Sequence, residues 1–331
     1  MRVLLTGGAG FIGSHTAQAL LRRHFPLAIV DNFDPFYSSA AKRANLEEVR
    51  RLGRFTFHPA DICDAAAVRR LFSSLRPQVV IHLAGRPGVR PSFCDPAGYH
   101  RVNVDATVTL LQCALDFGVR RFVFGSSSSV YGACSRAPFR EEQPDLEPIS
   151  PYAATKLAAE SECRRFAERF GLPVVCLRFF TVYGARQRPD LAIHKFTARL
   201  ESAEPLPVYG DGTSGRDYTY IDDIVAGILA ALDYQAGPAS GAAPFEIFNL
   251  GNSRPVSLNE LIARLEKATG RLARRDPQPA RPGDVPLTWA DISKASRLLD
   301  YHPRMPLEQG LEHFVAWYRA AVTARSIAVG A

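Results

Sequence analysis

No apolar run in this 331-residue chain approaches the roughly 20 residues that a helix needs to cross a bilayer, which argues against a membrane-spanning role. The stretch after Met1-Arg2 enters a β-like run at once instead of the apolar core of a cleavable signal, so a cytoplasmic protein is expected. The six cysteines (Cys63, Cys94, Cys113, Cys134, Cys163 and Cys176) contain no C-x-x-C pair and form no cluster with histidine at metal-ligand spacing. That pattern excludes a zinc-ribbon reading, and the thiols are expected to be reduced packing residues with no metal. There is no internal repeat, no low-complexity tract and no basic stretch interleaved with aromatics. The net charge of +7 comes mostly from dispersed arginines, which suits anionic small molecules better than nucleic acid. A hydrophobic content of 47% beside 22% charged residues is ordinary for a globular protein with a sizeable core.

Strands alternating with helices dominate the first half. Val3 to Thr6 is a short apolar strand, followed by Gly7-Gly8-Ala9-Gly10-Phe11-Ile12-Gly13 and a helical run to about Arg23. A glycine turn between strand and helix lets backbone approach a pyrophosphate, and the helix N-terminus offers N–H donors. The next strand, Leu27 to Val30, ends in Asp31, at the separation where a carboxylate binds ribose hydroxyls and repels a 2′-phosphate. Further strands at 55–58, 79–83, 122–124 and 174–177 are separated by helices at 65–75, 97–117 and 150–170. Continuous apolar strands in this alternation predict a doubly wound, Rossmann-type α/β fold with a parallel sheet, its ligands gathered at the strands' carboxyl ends. Beyond Arg178 the elements shorten, predicting a smaller, discontinuous α/β unit. The expected division is 1–177 plus about 217–246 for the cofactor domain, and about 178–216 plus 247–331 for the substrate domain. Residues 235–244 read as an exposed small-residue linker, and Ser257-Leu258-Asn259-Glu260 as a capping box.

One stretch specifies a chemical task. Ser150 is a good N-cap and Pro151 suits the first helical position, so Ser150-Pro151-Tyr152-Ala153-Ala154-Thr155-Lys156 opens a helix closed by Gly171. Tyr152 and Lys156, four apart, share a face. An ammonium beside the phenol and the positive end of the helix dipole are both expected to lower the tyrosine pKa toward neutrality. A phenolate so placed is a general base for a hydroxyl whose carbon loses hydride.

Gly7-x-x-Gly10-x-x-Gly13, Ser126-Ser127-Ser128 and Tyr152-x-x-x-Lys156, in this order, resemble the extended short-chain dehydrogenase/reductases that act on nucleotide sugars. Gly88-Val89-Arg90, the run from Ser126 to Gly132, the run from Leu177 to Gly184, Arg216-Asp217-Tyr218-Thr219-Tyr220-Ile221-Asp222-Asp223 and Gly283-Asp284-Val285-Pro286 resemble those of UDP-glucuronate 4-epimerases in particular. The resemblance implies Tyr152 as base and acid, Lys156 on the nicotinamide ribose, and Ser127 on the reacting hydroxyl. It implies an NAD site lined by Gly7, Gly10, Phe11, Ile12, Gly13, Asp31, Asn32, Lys42, Asp61, Ile62, Leu83, Ala84, Gly85, Asn103, Tyr152 and Lys156. Arg90, Arg188, Lys195, Arg216 and Arg281 would face the UDP-sugar, because a guanidinium fork grips phosphate. A homodimer is also implied.

A 4-keto uronate is a β-keto acid that loses carbon dioxide readily. Ser126, Ser128 and Thr181 are expected to hold the substrate carboxylate without offering a proton for elimination. Two other readings remain open at this point: a neutral UDP-hexose 4-epimerase with the same Tyr152 and Lys156, and a non-catalytic NAD-binding regulator. Arg86, where relatives usually carry a small residue, is expected to alter the mouth of the pocket.

Overall fold

The computed structural model describes residues 1–133, 136–144, 146–235, 244–279 and 285–329, of 324–329 the backbone alone. Its large unit runs β1 (Val3–Thr6), α1 (Phe11–Arg22), β2 (Leu27–Val30), α2 (Ser39–Arg50), β3 (Thr56–His58), α3 (Ala65–Leu75) and β4 (Val79–His82). Two short helices follow, α4 (Val89–Ser92) and α5 (Pro96–His100), then α6 (Ala106–Asp116), β5 (Arg121–Ser127), α7 (Pro151–Phe170) and β6 (Val174–Phe179). Next come β7 (Thr181–Tyr183), α8 (Ala192–Glu201), β8 (Leu206–Tyr209), β9 (Gly215–Tyr220), α9 (Ile221–Asp233) and β10 (Phe245–Leu250). The chain ends with β11 (Pro255–Ser257), α10 (Leu258–Thr269), β12 (Arg275–Gln278), α11 (Ser293–Leu299) and α12 (Leu307–Val329).

Seven parallel strands form the central sheet in the order β10-β6-β5-β4-β1-β2-β3. Alternate side chains divide the core between its faces, as the period of two requires. Leu5, Ile29, Ile81 and Val175 pack under α1 and α9, while Leu4, Val30, Val80 and Phe124 pack under α3, α6 and α7. Because both faces are covered, the strands carry the unbroken apolar runs seen in the sequence. Two small sheets, β11-β9-β7 and β12-β8, build the second unit with α8, α10 and α12. Asp217, fully buried on β9, ties it to the rest by accepting from the backbone N–H groups of Asn252 (2.7 Å), Ser253 (2.9 Å) and Ala290 (3.0 Å).

Three expectations change. The boundary at about 246 falls inside β10, which belongs wholly to the large sheet and pairs with β6 through Leu250. The helix expected over 97–117 is interrupted by a wide turn of π geometry at Arg101–Asp105, which re-aims Asn103. Helix α2, rich in charge and weak in apolar periodicity, was not anticipated. Of the expected linker at 235–244, residues 236–243 lie outside those described. No helix among the described residues is long and apolar enough to cross a membrane.

Candidate active site

The glycine turn forms because its neighbours leave no room for side chains. Gly7 has φ +72°, and a Cβ there would lie 2.6 Å from the Ala84 nitrogen, so strand β1 can turn tightly only with glycine. A Cβ at Gly13 would lie 2.1 Å from the Gly7 oxygen, so α1 packs directly on the turn. Beyond them opens a cleft of about 750 Å³ at the carboxyl ends of the strands. Its walls include every expected cofactor residue except Asn103: Gly7, Gly10, Phe11, Ile12, Gly13, Asp31, Asn32, Lys42, Asp61, Ile62, Leu83, Ala84, Gly85, Tyr152 and Lys156. Asn103 is buried and acts as a brace instead. Its Oδ1 accepts from the Arg86 N–H (2.8 Å), and its Nδ2 donates to the Arg86 carbonyl (3.1 Å) and to Thr155 Oγ1 (3.1 Å), fixing the loop after β4.

The donor set fits a dinucleotide. Asp31 sits at the end of β2, held by the N–H groups of Ala9 (3.0 Å) and Phe33 (2.8 Å), which leaves lone pairs for ribose hydroxyls. Burial raises its pKa, opposed by the Phe33 N–H, Lys42 and the Ala9 N–H. Asn32 donates to Asp61 (3.2 Å), joining the ends of β2 and β3. Lys42 donates to the Asp34 carbonyl (2.7 Å) and lies 4.7 Å above the Tyr37 ring; burial lowers its pKa against the pull of Asp31 and Asp34. The position of a Cβ on Gly10 is 3.9 Å from the Tyr37 hydroxyl, a buried group that faces the Phe11 N–H at the start of α1. Phe36 and Tyr37 line the cleft, yet sequence reasoning passed over them. The available signal was an aromatic pair just beyond the carboxyl end of β2, with no periodicity to mark it.

At the other end of the cleft stand Tyr152 and Lys156. Helix α7 begins as the sequence dictates, with the Ser150 side chain accepting from the Ala153 N–H (3.2 Å), Pro151 in the first turn and Gly171 left-handed at the end. Tyr152 is half-buried, hydrogen-bonds Ser127, and packs edge-on against Tyr99 with ring centroids 6.3 Å apart. Ser127 also accepts from Ser129 N–H (3.2 Å) and Oγ (2.9 Å). The expected lowering of the Tyr152 pKa by Lys156 and the helix dipole does not prevail. Burial raises it, and the opposing influences are the Ser127 hydrogen bond and the Arg188 charge. Lys156 turns instead to the Gly125 carbonyl (2.8 Å) and lies 4.8 Å from the Phe124 ring centroid. Its own burial pulls its pKa down to about 8 against the favourable field of Glu160.

Of the expected substrate groups, Arg188 and Ser126 line the cleft. Arg188 is held by a two-pronged pair with Asp190 (2.9 and 2.8 Å) and lies 5.5 Å from the Phe36 ring centroid. Ser126 is a correction: its one proton goes to buried Glu160 at 2.5 Å, so the side chain has no proton left for a substrate carboxylate. Ser128 and Thr181 are half-buried near the ends of β5 and β7 and do not line the cleft. Arg90 and Lys195 are exposed and Arg216 is half-buried on β9, all outside the cleft wall; Arg90 lies 6.0 Å from the ring centroid of Tyr209. Arg281, Gly283 and Asp284 lie outside the described residues, as does Cys134. Arg86 does stand at the cleft wall, pinned to Asp95 (2.5 Å) over the Tyr99 ring. Among the described residues no group of three or more His, Cys, Asp or Glu is placed to hold a metal ion.

Residues 4–314 match the family model described as GDP-mannose 4,6 dehydratase. The chain belongs to that family of extended short-chain dehydrogenase/reductases. Within the family it is similar to the UDP-glucuronate 4-epimerase of Thermodesulfobacterium geofontis, 39% identical over 315 residues and covering 95% of each chain. It is 40% identical to UDP-glucuronate 4-epimerase 4 of Arabidopsis thaliana over 327 residues, covering 96% of this chain and 75% of that one. Among solved structures, the Bacillus cereus UDP-glucuronic acid 4-epimerase in complex with UDP-glucuronic acid and NAD superposes with a TM-score of 0.90 at 38% identity, covering 97% of this chain and 100% of that one. The Thermotoga maritima UDP-glucose 4-epimerase with UDP-glucose superposes at 0.88 with 33% identity, over 97% and 100% of the two chains. The seven-stranded parallel sheet with flanking helices matches the Rossmann-type fold of these epimerase structures.

Proposed function

We propose that the protein is an NAD-dependent epimerase that interconverts UDP-glucuronate and UDP-galacturonate. The observation that carries this reading is the Ser127–Tyr152 hydrogen bond at the wall of a cleft whose other end presents Asp31 beside the glycine turn. Tyr152 takes the proton of the sugar 4-hydroxyl and later returns it, with Ser127 relaying or orienting that hydroxyl. Bound NAD⁺ supplies the reversible hydride acceptor that this chemistry needs. Lys156, buried and close to neutrality in its pKa, binds the nicotinamide ribose and adjusts its charge as the tyrosine changes state. Burial raises the Tyr152 pKa before ligands bind, so a cationic nicotinamide ring and Arg188 must supply the field that makes it a base.

Arg188 at the cleft wall faces the sugar diphosphate, and Arg90, Lys195 and Arg216, just beyond that wall, join it once the substrate binds; Arg281 belongs to the same set on the family resemblance alone. With the Ser126 proton committed to Glu160, Ser128 and Thr181, half-buried beside the cleft at the ends of β5 and β7, are the hydroxyls left to reach the substrate carboxylate and restrain decarboxylation. The names of the similar proteins and the presence of a threonine at 181 favour the uronate over a neutral hexose. A cytoplasmic homodimer belongs to the same proposal and rests on the family resemblance. Incubation of purified protein with UDP-glucuronate, and in parallel with UDP-glucose, followed by NMR, tests the reading. UDP-galacturonate without UDP-pentose, absent in Tyr152→Phe, supports it. Turnover of UDP-glucose alone refutes the substrate assignment.

A further inference from the structure

The mechanism leaves one buried cluster unused. In register, Ser126 on β5 pairs with Arg178 on β6, and Arg178 pairs with Asn249 on β10, so one row crosses three neighbouring strands beneath the serine run. Glu160, two helical turns beyond Tyr152 on α7, closes the row from above. Its carboxylate accepts from Arg178 Nε (3.0 Å) and a terminal guanidinium nitrogen (2.7 Å), and from Ser126 Oγ (2.5 Å). Both charged side chains are almost wholly buried, at 2% and 3% exposure, which makes this the costliest kind of ion pair to build. Arg178 also lies 4.8 Å from the Tyr131 ring centroid, and the Tyr131 hydroxyl donates to Asn249 Oδ1 (2.7 Å). Asn249 in turn donates through Nδ2 to the carbonyls of Phe139 (2.9 Å) and Asp291 (3.2 Å). The run from Ser126 to Tyr131 is therefore anchored at both ends to one charged row, and Ser127 stands between the anchors.

We propose that Glu160 and Arg178 are positioning residues that, through Ser126, hold Ser127 in reach of the Tyr152 hydroxyl and of the reacting sugar hydroxyl. The ion pair sets the carboxylate, the carboxylate sets the Ser126 rotamer, and the end of β5 is fixed in turn. Neither charge touches the cleft chemistry directly. A carboxylate is suited to the task because it accepts from Ser126 and from the arginine fork at once, which a neutral acceptor does less firmly. The proposal rests on the epimerase reading for its kinetic test and is independent of it for its spectroscopic one.

Ser126→Ala cuts the link to the loop and leaves the ion pair intact. The expected result is a kcat lower by about 10- to 100-fold, as for a reacting group displaced by a fraction of an ångström to an ångström. KM for UDP-glucuronate stays within twofold, the melting temperature barely moves, and Ser126→Thr, which keeps the hydroxyl, restores most of the rate. Unchanged kcat, or a raised KM at unchanged kcat, overturns the proposal, the latter because it makes Ser126 a direct substrate contact. The second readout needs no turnover. Ultraviolet titration of the NAD-stripped proteins, taken as the difference against the matching Tyr152→Phe variants, isolates the Tyr152 phenol. Tyr99, Lys156 and Arg188, which face it from other elements or turns, are unaltered by the substitution. Tyr152 is expected to ionise at higher pH in Ser126→Ala because Ser127 no longer steadies the phenolate; an unshifted titration overturns the proposal. Absence of turnover in the wild type with the titration shift present refutes only the substrate reading.

Discussion

Lys156→Met should make the NAD-free protein more stable at neutral pH while abolishing turnover. Burial moves the ammonium from its ordinary pKa of 10.5 to about 8. At 1.36 kcal/mol per pKa unit, this drop corresponds to a charge-burial cost of about 3 kcal/mol at pH 7. Methionine has similar volume and no charge to desolvate, but it forfeits the hydrogen bond to the Gly125 carbonyl, worth about 1 kcal/mol. The net gain is about 2 kcal/mol. Between pH 8 and 10.5 the unfolded lysine holds its proton and the folded one has released it, so unfolding takes up a proton and rising pH favours the folded wild type. The advantage of the variant therefore shrinks through that window, and above it the variant is the less stable by about 1 kcal/mol, the lost hydrogen bond. Urea denaturation of both proteins, stripped of NAD because a bound ligand stabilises by mass action, measures the difference at pH 7 and pH 10. A variant less stable at pH 7, or a difference that does not change with pH, would refute the reasoning.

Tyr37→Phe removes the buried hydroxyl beside the glycine turn and keeps the ring beneath Lys42. NAD should then bind about 10- to 100-fold more weakly in equilibrium dialysis, the loss of one hydrogen bond to a charged group at about 1.5–3 kcal/mol. Asp31→Asn should weaken NAD binding by about 10-fold and narrow its preference over NADP, because the repulsion of a 2′-phosphate is gone; titration with both dinucleotides reads this. Gly7→Ala places a Cβ 2.6 Å from the Ala84 nitrogen at positive φ, so it should lower stability by 3 kcal/mol or more, on the order of other strained core changes, and release NAD.

Wherever a local rule governs, sequence and structure agree. Ser150, Pro151 and Gly171 delimit α7, and Ser257 with Glu260 forms the capping box that opens α10, because helix ends are decided by a few adjacent side chains satisfying backbone groups. The parallel sheet was legible in unbroken apolar runs, and the cofactor cleft in residues that sit just beyond the strand ends. β10 escapes a sequence reading because a small-residue stretch precedes it and the whole run from β7 to α9 separates it from β6, its partner in the sheet. The family resemblance implied Asn103 at the NAD site; no local pattern showed the π turn at Arg101–Asp105 or the hydrogen bonds that tie this side chain to Arg86 and Thr155.

The sequence by itself determined which residues could do the chemistry: a glycine turn, a carboxylate after β2, and Ser127, Tyr152 and Lys156 in their order. Only the tertiary structure decided their electrical state and their partners. Tyr152 and Lys156 share a helical face as spacing requires, yet burial, not their proximity, sets the direction of both pKa shifts. Ser126 is one serine in a run of four, Ser126 to Ser129, and it is committed to Glu160 only because sheet register brings Arg178 beside it and α7 lowers a carboxylate onto both. Helix caps and turns are fixed by neighbours in the chain. Desolvation and hydrogen-bond competition are fixed by whatever the fold packs alongside.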